Sequence, residues 1–182
     1  FPSGENAANL RGEHIPPSAI HVTGNTVVDA LLWVREKLKR NGLTADQVVT
    51  RCKIPADFAE RYLRTAPGAG TAGQPRWILI TGHRRESFGQ GFENICRAIA
   101  TLAERYPDLG LLYPVHLNPN VQEPVRRILG NNPRVALVPP VGYEDFIWLM
   151  DRTHFVLSDS GGVQEEAPSV GKPVLVMRDT TE

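Results

Sequence analysis

The chain has 182 residues, 41% of them hydrophobic, with 20 Lys+Arg balanced by 20 Asp+Glu. That length buries a full core for one domain and leaves residues for part of another. Zero net charge argues against a broad basic face for nucleic acid, and no apolar run approaches the roughly 20 residues of a membrane helix, so neither is expected as a partner.

The two cysteines, Cys52 and Cys96, stand alone and fit neither a disulfide framework nor a zinc motif. They read as reduced, structural thiols of a cytoplasmic protein. The chain opens on Phe1 and closes on "MRDTTE", which reads as a piece of something longer.

In chain order, "GEHIPPSAIHVTGN" (12–25) predicts a turn and a short strand over Ile20–Thr23, closing at Gly24-Asn25. Thr26 then opens a helix, with Asp29 three residues on in a capping-box arrangement. Val27, Leu31, Val34 and Leu38 keep helical spacing as far as "KLKR", whose cations suit a helix C-terminus, and Gly42 stops it. Residues 44–63 read as mixed and helical in parts. The Ala/Gly/Pro-rich stretch 66–75 reads as a flexible surface loop.

From Trp77 the alternation is regular. The strands are "WILIT", "LGLLYPV", "RVALV", "HFVLS" and "KPVLVMR", and the helices between them are "GFENICRAIATLAERY", "VQEPVRRIL", "YEDFIWLMDR" and "VQEEAPSV". Five apolar strands joined by four helices predict right-handed crossovers and a Rossmann-like parallel sheet covered on both faces.

Ligands of such sheets bind beyond the carboxyl ends of the strands. Three polar clusters fall there: "TGHRRESFGQG" (81–91), "HLNPN" (116–120) and "SDSGG" (158–162). Each has an ordinary reading. His83 could cap a loop, Arg84 and Arg85 could be solvated charge, and His116 with Asn118-Pro119 could be turn chemistry. Gly161-Gly162 could be only a tight strand-to-helix turn. His14, His21 and His154 read as structural or surface residues. No short-spaced His/Cys/Asp set suggests a metal, and no organic cofactor is called for. The glycines are neither a G-x-G-x-x-G fingerprint after the first strand nor a Walker A loop. They lie on a late strand with Glu166 four residues after Gly162, on one helix face. Backbone N–H groups at a helix start hold phosphates, and a carboxylate one turn on suits ribose hydroxyls. That pattern suits a nucleoside diphosphate.

Taken in order, "VTGNTVVDALLWV" (22–34), "TGHRRESFGQGFENIC" (81–96), "YPVHLNPNVQEPV" (113–125), "DFIWLM" (145–150) and "SDSGGVQEEAPSVGKPVLVMRDTTE" (158–182) resemble the bacterial non-hydrolysing UDP-N-acetylglucosamine 2-epimerases. The stretch 39–74 carries little of this resemblance. The resemblance implies a glycosyltransferase-B architecture, with two Rossmann-like domains and a UDP-sugar between them. It divides this chain into the tail of an N-terminal domain (1–25), connecting helices and a loop (26–75), and a C-terminal UDP-binding domain (76–182). By motif, His83 matches the catalytic-site histidine. Ser160, Gly161 and Gly162 match the diphosphate loop, Glu166 the ribose ligand and Phe146 the residue beside the uracil. His116, with Asn118 in the same motif, matches the UDP pocket, and Arg84, Arg85 and Glu86 line the cleft.

The implied activity is interconversion of UDP-N-acetylglucosamine and UDP-N-acetylmannosamine, in a protein that is a homodimer when whole. None of Glu86, Asp159, Glu165, Glu166 or Asp179 matches the family's essential carboxylates, which belong to the N-terminal domain. The chain therefore reads as a nucleotide half-site whose partner is that missing domain. Three alternatives stay open at this point: a UDP-sugar transferase, which would need an acceptor; a hydrolysing epimerase, which would accumulate free UDP; and a non-catalytic UDP-sugar module.

Overall fold

The computed structural model describes residues 4–64, 75–82 and 89–178. Helix α1 spans Gly4–Gly12 and a 3-10 turn covers Pro17–Ala19. Helices α2 (Thr26–Arg40) and α3 (Ala45–Cys52) follow, then α4 (Ala56–Phe58), which widens into a π-helical turn over Ala59–Leu63. Then come β1 (Arg76–Thr81), α5 (Gln90–Arg105), β2 (Leu109–Pro114), α6 (Pro119–Leu129), β3 (Val135–Val138), α7 (Tyr143–Arg152), β4 (Val156–Ser158), α8 (Gly161–Ser169) and β5 (Val174–Val176). The strands form one sheet in the order β3-β2-β1-β4-β5, and every pairing is parallel.

Alternation along β1 and β2 divides the core into two layers. Ile78, Ile80, Leu111 and Tyr113 pack with Phe92, Cys96 and Ile99 of α5 and with Val121, Val125 and Leu129 of α6. Trp77, Leu79 and Leu112 face the other way, onto α7 and α8. Burying each such side chain contributes about 1.5–3 kcal/mol. Both faces are covered over β1–β4, as the alternation of apolar strands and helices predicts, while Leu175 and Val176 of the edge strand β5 are exposed.

The helices ahead of the sheet share the second layer. Leu31, Val34 and Leu38 of α2 and Val48 and Cys52 of α3 join the cluster that contains Trp77 and Leu79. Polar ties reinforce the contact. Arg35 of α2 grips Asp151 of α7 at 2.7 Å, Arg51 of α3 pairs with the buried Asp145 of α7, and the Trp148 indole N–H donates to Leu43 O at 3.1 Å. The turn into α3 carries a complete capping box between Thr44 and Gln47.

Several details depart from the sequence expectation. No strand forms over Ile20–Thr23. These residues have no neighbouring strand to pair with, and Val22 is 55% exposed. Asn25, rather than a Thr26–Asp29 box, caps α2, its side chain accepting from Val27 N at 3.0 Å. Helix α1 is an addition; its sequence has no apolar stripe, and Ala7 is its only buried residue. Helix α6 begins at Pro119, so Pro124 lies well inside it. The loop expected at 66–75 lies, but for Pro75, outside the described residues. Both cysteines are buried, and burial pushes each thiol up to about 11.

The docking of the π-helical turn depends on one glycine. A Cβ on Gly110 of β2 would lie 2.8 Å from Tyr62 Cδ2, so the Tyr62 ring rests directly on strand backbone. Gly110→Ala should therefore lower stability by about 1–3 kcal/mol through overpacking. Pairing it with Tyr62→Leu should recover part of that loss. Urea unfolding of the two single variants and the double variant checks the coupling; strictly additive effects would remove Tyr62 as the cause.

Candidate functional site

The sheet order reverses at β1. The chain reaches β2 and β3 on one side of it, then returns to β4 and β5 on the other. Helices α5 and α8, which follow β1 and β4, lie on opposite faces of the sheet, the arrangement that opens a crevice at the carboxyl ends of the two strands. Thr81 and Ser158 end these strands side by side, in register. Their hydroxyls are 2.5 Å apart, and Ser158 Oγ also accepts the Ser160 N–H at 3.0 Å. The Asp159 N–H donates to Thr81 O at 3.1 Å. The turn into α8 is thus held to the end of β1 by two bonds, and the third braces the turn from within.

Gly82 extends β1 into this crevice, where a Cβ would stand 3.0 Å from Met177 Cε and 3.8 Å from Asp159 Oδ2. The Tyr113 hydroxyl of β2 donates to Gly82 O at 2.5 Å. The ends of β1, β2 and β4 are knitted into one rim. Asp159 is fully buried beneath it.

Helix α8 starts on this rim at Gly161. Ser160 occupies its N-cap without making a side-chain capping bond. The first-turn amides of Gly161 and Gly162, at the positive end of the helix dipole, face the crevice end of the sheet. Gly162 is exposed, and among the described residues a Cβ there would meet Ser160 Oγ alone, at 4.0 Å. One turn on, Glu166 is only 8% exposed, and it accepts a hydrogen bond from Tyr143 Oη at 3.3 Å. Burial raises the Glu166 pKa above the ordinary carboxylate value, and the Tyr143 bond opposes that rise. Tyr143 is itself raised, by burial first and then by the Glu166 charge.

The structure brings Ser160, Gly161, Gly162 and Glu166 together on one helix start. Phe146 lies one turn after Tyr143 on α7, partly buried against the second core layer. His116 and Asn118 follow β2 at the same sheet edge but belong to a separate bonded turn. Asn118 N donates to His116 Nδ1 at 3.1 Å, and the Asn118 side chain caps α6 through Asn120 N at 3.0 Å. His83, Arg84, Arg85 and Glu86 lie outside the described residues. Among the described residues no group of three or more His, Cys, Asp or Glu could hold a metal, and no helix is long and apolar enough to cross a membrane.

Thr81 and Ser158 fall inside the polar clusters 81–91 and 158–162 but carry no role of their own in the sequence reading, and Tyr143 is not singled out there. Ser158 was within reach, since a serine two residues before an N-cap is a natural acceptor for the turn's N–H. Tyr143 was not, because it meets Glu166 from another helix.

Fold and crevice define a Rossmann-like α/β protein with its ligand edge between β1 and β4. Comparison with known proteins narrows this. The sequence pattern of the family described as "UDP-N-acetylglucosamine 2-epimerase" matches residues 1–182, and the chain belongs to that family. It is 51% identical over 181 residues to the UDP-N-acetylglucosamine 2-epimerase of Escherichia coli K12, covering all of this chain and 44% of that protein. The crystal structure of the Neisseria meningitidis enzyme bound to UDP-GlcNAc superposes with a TM-score of 0.79 at 43% identity, over 99% of this chain and 44% of that one. The Methanocaldococcus jannaschii enzyme, solved with UDP-GlcNAc and UDP, gives 0.70 at 27% identity over 99% of this chain and 45% of that one. The chain thus spans less than half the length of these relatives, as one Rossmann-like half of a glycosyltransferase-B type architecture.

The raised Glu166 pKa has a sign that can be tested. A carboxyl with a folded pKa above its unfolded value stabilises the fold fully below the unfolded pKa, and that contribution is lost as pH rises through the folded pKa. At neutral pH the buried charge is a local destabiliser. Glu166→Gln should therefore be more stable than the parent at pH 7, with the gap closing below the ordinary glutamate value of about 4.3. Tyr143→Phe, which removes the opposing bond, should raise the Glu166 pKa further. Side-chain carboxyl NMR titration reads both effects, and a Glu166 value unmoved by Tyr143→Phe would show that the bond has no effect.

Proposed function

We propose that this chain is the UDP-binding half of an enzyme that interconverts UDP-N-acetylglucosamine and UDP-N-acetylmannosamine. One observation carries the reading. In a chain of this family, the crevice between β1 and β4 holds a helix start without a side-chain cap, followed one turn later by the buried carboxylate of Glu166. The N. meningitidis relative, solved with UDP-GlcNAc, supports it.

In this reading the diphosphate lies on the amides of Gly161 and Gly162 with Ser160 beside them, where the helix dipole favours negative charge. Glu166, held by Tyr143, accepts hydrogen bonds from the ribose hydroxyls. Phe146 stands beside the uracil, and His116 and Asn118 complete the pocket beyond β2. By the resemblance, Arg84, Arg85 and Glu86 belong to the same cleft.

The chemistry explains why a diphosphate grip matters. The hydrogen on sugar C2 is not adjacent to a carbonyl, so simple deprotonation faces a very high barrier. Breaking the C1–O bond builds oxocarbenium character that acidifies it. A base takes the C2 proton, the C1–C2 double bond forms, and UDP departs with the bonding electrons of C1–O. Re-addition of UDP at C1 and of a proton to the opposite face of C2 gives the epimer. The α8 amides stabilise the departing diphosphate throughout. His83, two residues beyond β1, assists proton transfer or the leaving group. The carboxylates that work at C2 come from outside these 182 residues, in the domain across the cleft. The whole protein is read as a cytoplasmic homodimer.

UDP should bind this chain in preference to ADP, and Glu166→Ala should weaken it by about 1–3 kcal/mol through loss of a buried hydrogen bond. Calorimetry reads both, and equal binding of ADP would discard the uracil role of Phe146.

The chain alone should not exchange the substrate's C2 hydrogen. Half a cleft leaves the reacting centre open to water and without its base. Proton NMR of UDP-N-acetylglucosamine in deuterium oxide should show no deuterium at C2 above a protein-free control. Incorporation would mean that residues within this chain supply the base.

A further inference from the structure

A second cavity, of about 320 Å³, opens between the C-terminal halves of α2 and α7 and the turn after α2. Helix α7 starts at the carboxyl edge of the sheet and runs back to the start of β4, so this cavity lies toward the opposite edge from the β1/β4 crevice. The two sites share no residue.

Its walls combine two chemistries. Leu38, Ile147 and Trp148, all buried, give it apolar lining, and Arg35 and Arg152, both partly exposed, line it as well. Arg35 places Nε and Nη2 on Asp151 Oδ1 at 2.8 and 2.7 Å. The Arg152 guanidinium stacks 4.0 Å above the Trp148 ring, with Nη1 3.9 Å from Asp151 Oδ2. Lys172 interacts electrostatically with Asp151, Arg35 and Arg152. Among the described residues, Asp151 is thus the carboxylate paired with both arginines, and a third cation adds to their field. Lys39, on the rim, is matched separately by Glu36 at 2.7 Å.

The cluster is partly withdrawn from water. Side-chain exposure is 29% for Arg35, 34% for Arg152 and 19% for Asp151. Burial is also the largest influence lowering the pKa of Arg152 and of Lys172. Cations removed from water without matching anions are unfavourable, and a bound dianion would restore the balance. Guanidinium forks suit phosphate oxygens, while the apolar lining offers contact to a hydrocarbon or ring.

We propose that this cavity binds a small organic phosphate monoester, with its phosphate on Arg35 and Arg152 and its apolar body over Leu38 and Ile147. Nothing in this assignment depends on the UDP reading. The test titrates phenyl phosphate into the chain while the Trp148 indole N–H, bonded to Leu43 O, is followed by nitrogen-15 NMR. The signal is assigned through Trp148→Phe. A saturable shift is expected, weaker with inorganic phosphate or phenol and unchanged by saturating UDP. Arg152→Gln should weaken binding at least about tenfold, as for a lost charge-assisted hydrogen bond. Lys172→Gln, which leaves the Trp148 stack intact, should weaken it about threefold by removing screened charge. An unmoved indole signal overturns the proposal, as does equal binding of inorganic phosphate or phenol. Displacement by UDP, or affinity unchanged in both charge variants, overturns it too.

Discussion

A parallel sheet delivers every strand end to one edge, and right-handed crossovers decide where the chain can go next. Here β1 is central, and its two neighbours are reached by connections on opposite faces of the sheet. The gap between β1 and β4 is thus a consequence of topology before any side chain is chosen. One backbone bond and one side-chain contact then fix the width of that gap. The Asp159 N–H to Thr81 O bond and the Thr81–Ser158 hydroxyl contact keep the two strand ends in register, so the start of α8 has one position relative to β1.

Within that frame, the site combines features that are unfavourable when considered singly. A helix start left without a side-chain cap forgoes about 1 kcal/mol of capping, and a buried carboxylate resists ionisation. Both occur within two turns of α8, next to a glycine chosen for open space rather than for stability. Local rules broken together at a strand edge are the pattern of a binding site.

The sheet and the helices after Trp77 were legible because their signals are local. Runs such as 77–80 and 110–113 are buried on both faces, and the ten residues of α7 were bounded from their sequence alone. The glycine pair and Glu166 were legible for the same reason, being one turn apart. The losses share a different cause. Tyr143 meets Glu166 across 23 positions, Thr81 meets Ser158 across 77, and Gly110 meets Tyr62 only because the helical layer crosses β2 there. Ile20–Thr23 has strand-like residues but no partner strand, and a β ladder needs two sides. His116 and Asn118 carry both readings at once, since the bonds of their own turn hold them at the sheet edge that the resemblance assigns to the nucleotide.

The Asn25 side chain that caps α2 also donates to Glu165, the neighbour of Glu166 on α8. Farther along, α2 is pinned to α7 through Arg35 and Lys37. A 15-residue helix is about 22 Å long, and this one is fastened at its tip to α8 and through its second half to α7. Mechanically, it is a strut rather than a tether. A pull on the residues ahead of Asn25 would act on α8 through the Asn25–Glu165 hydrogen bond and on α7 through two ion pairs, so the backbone entering α2 is coupled to both helices.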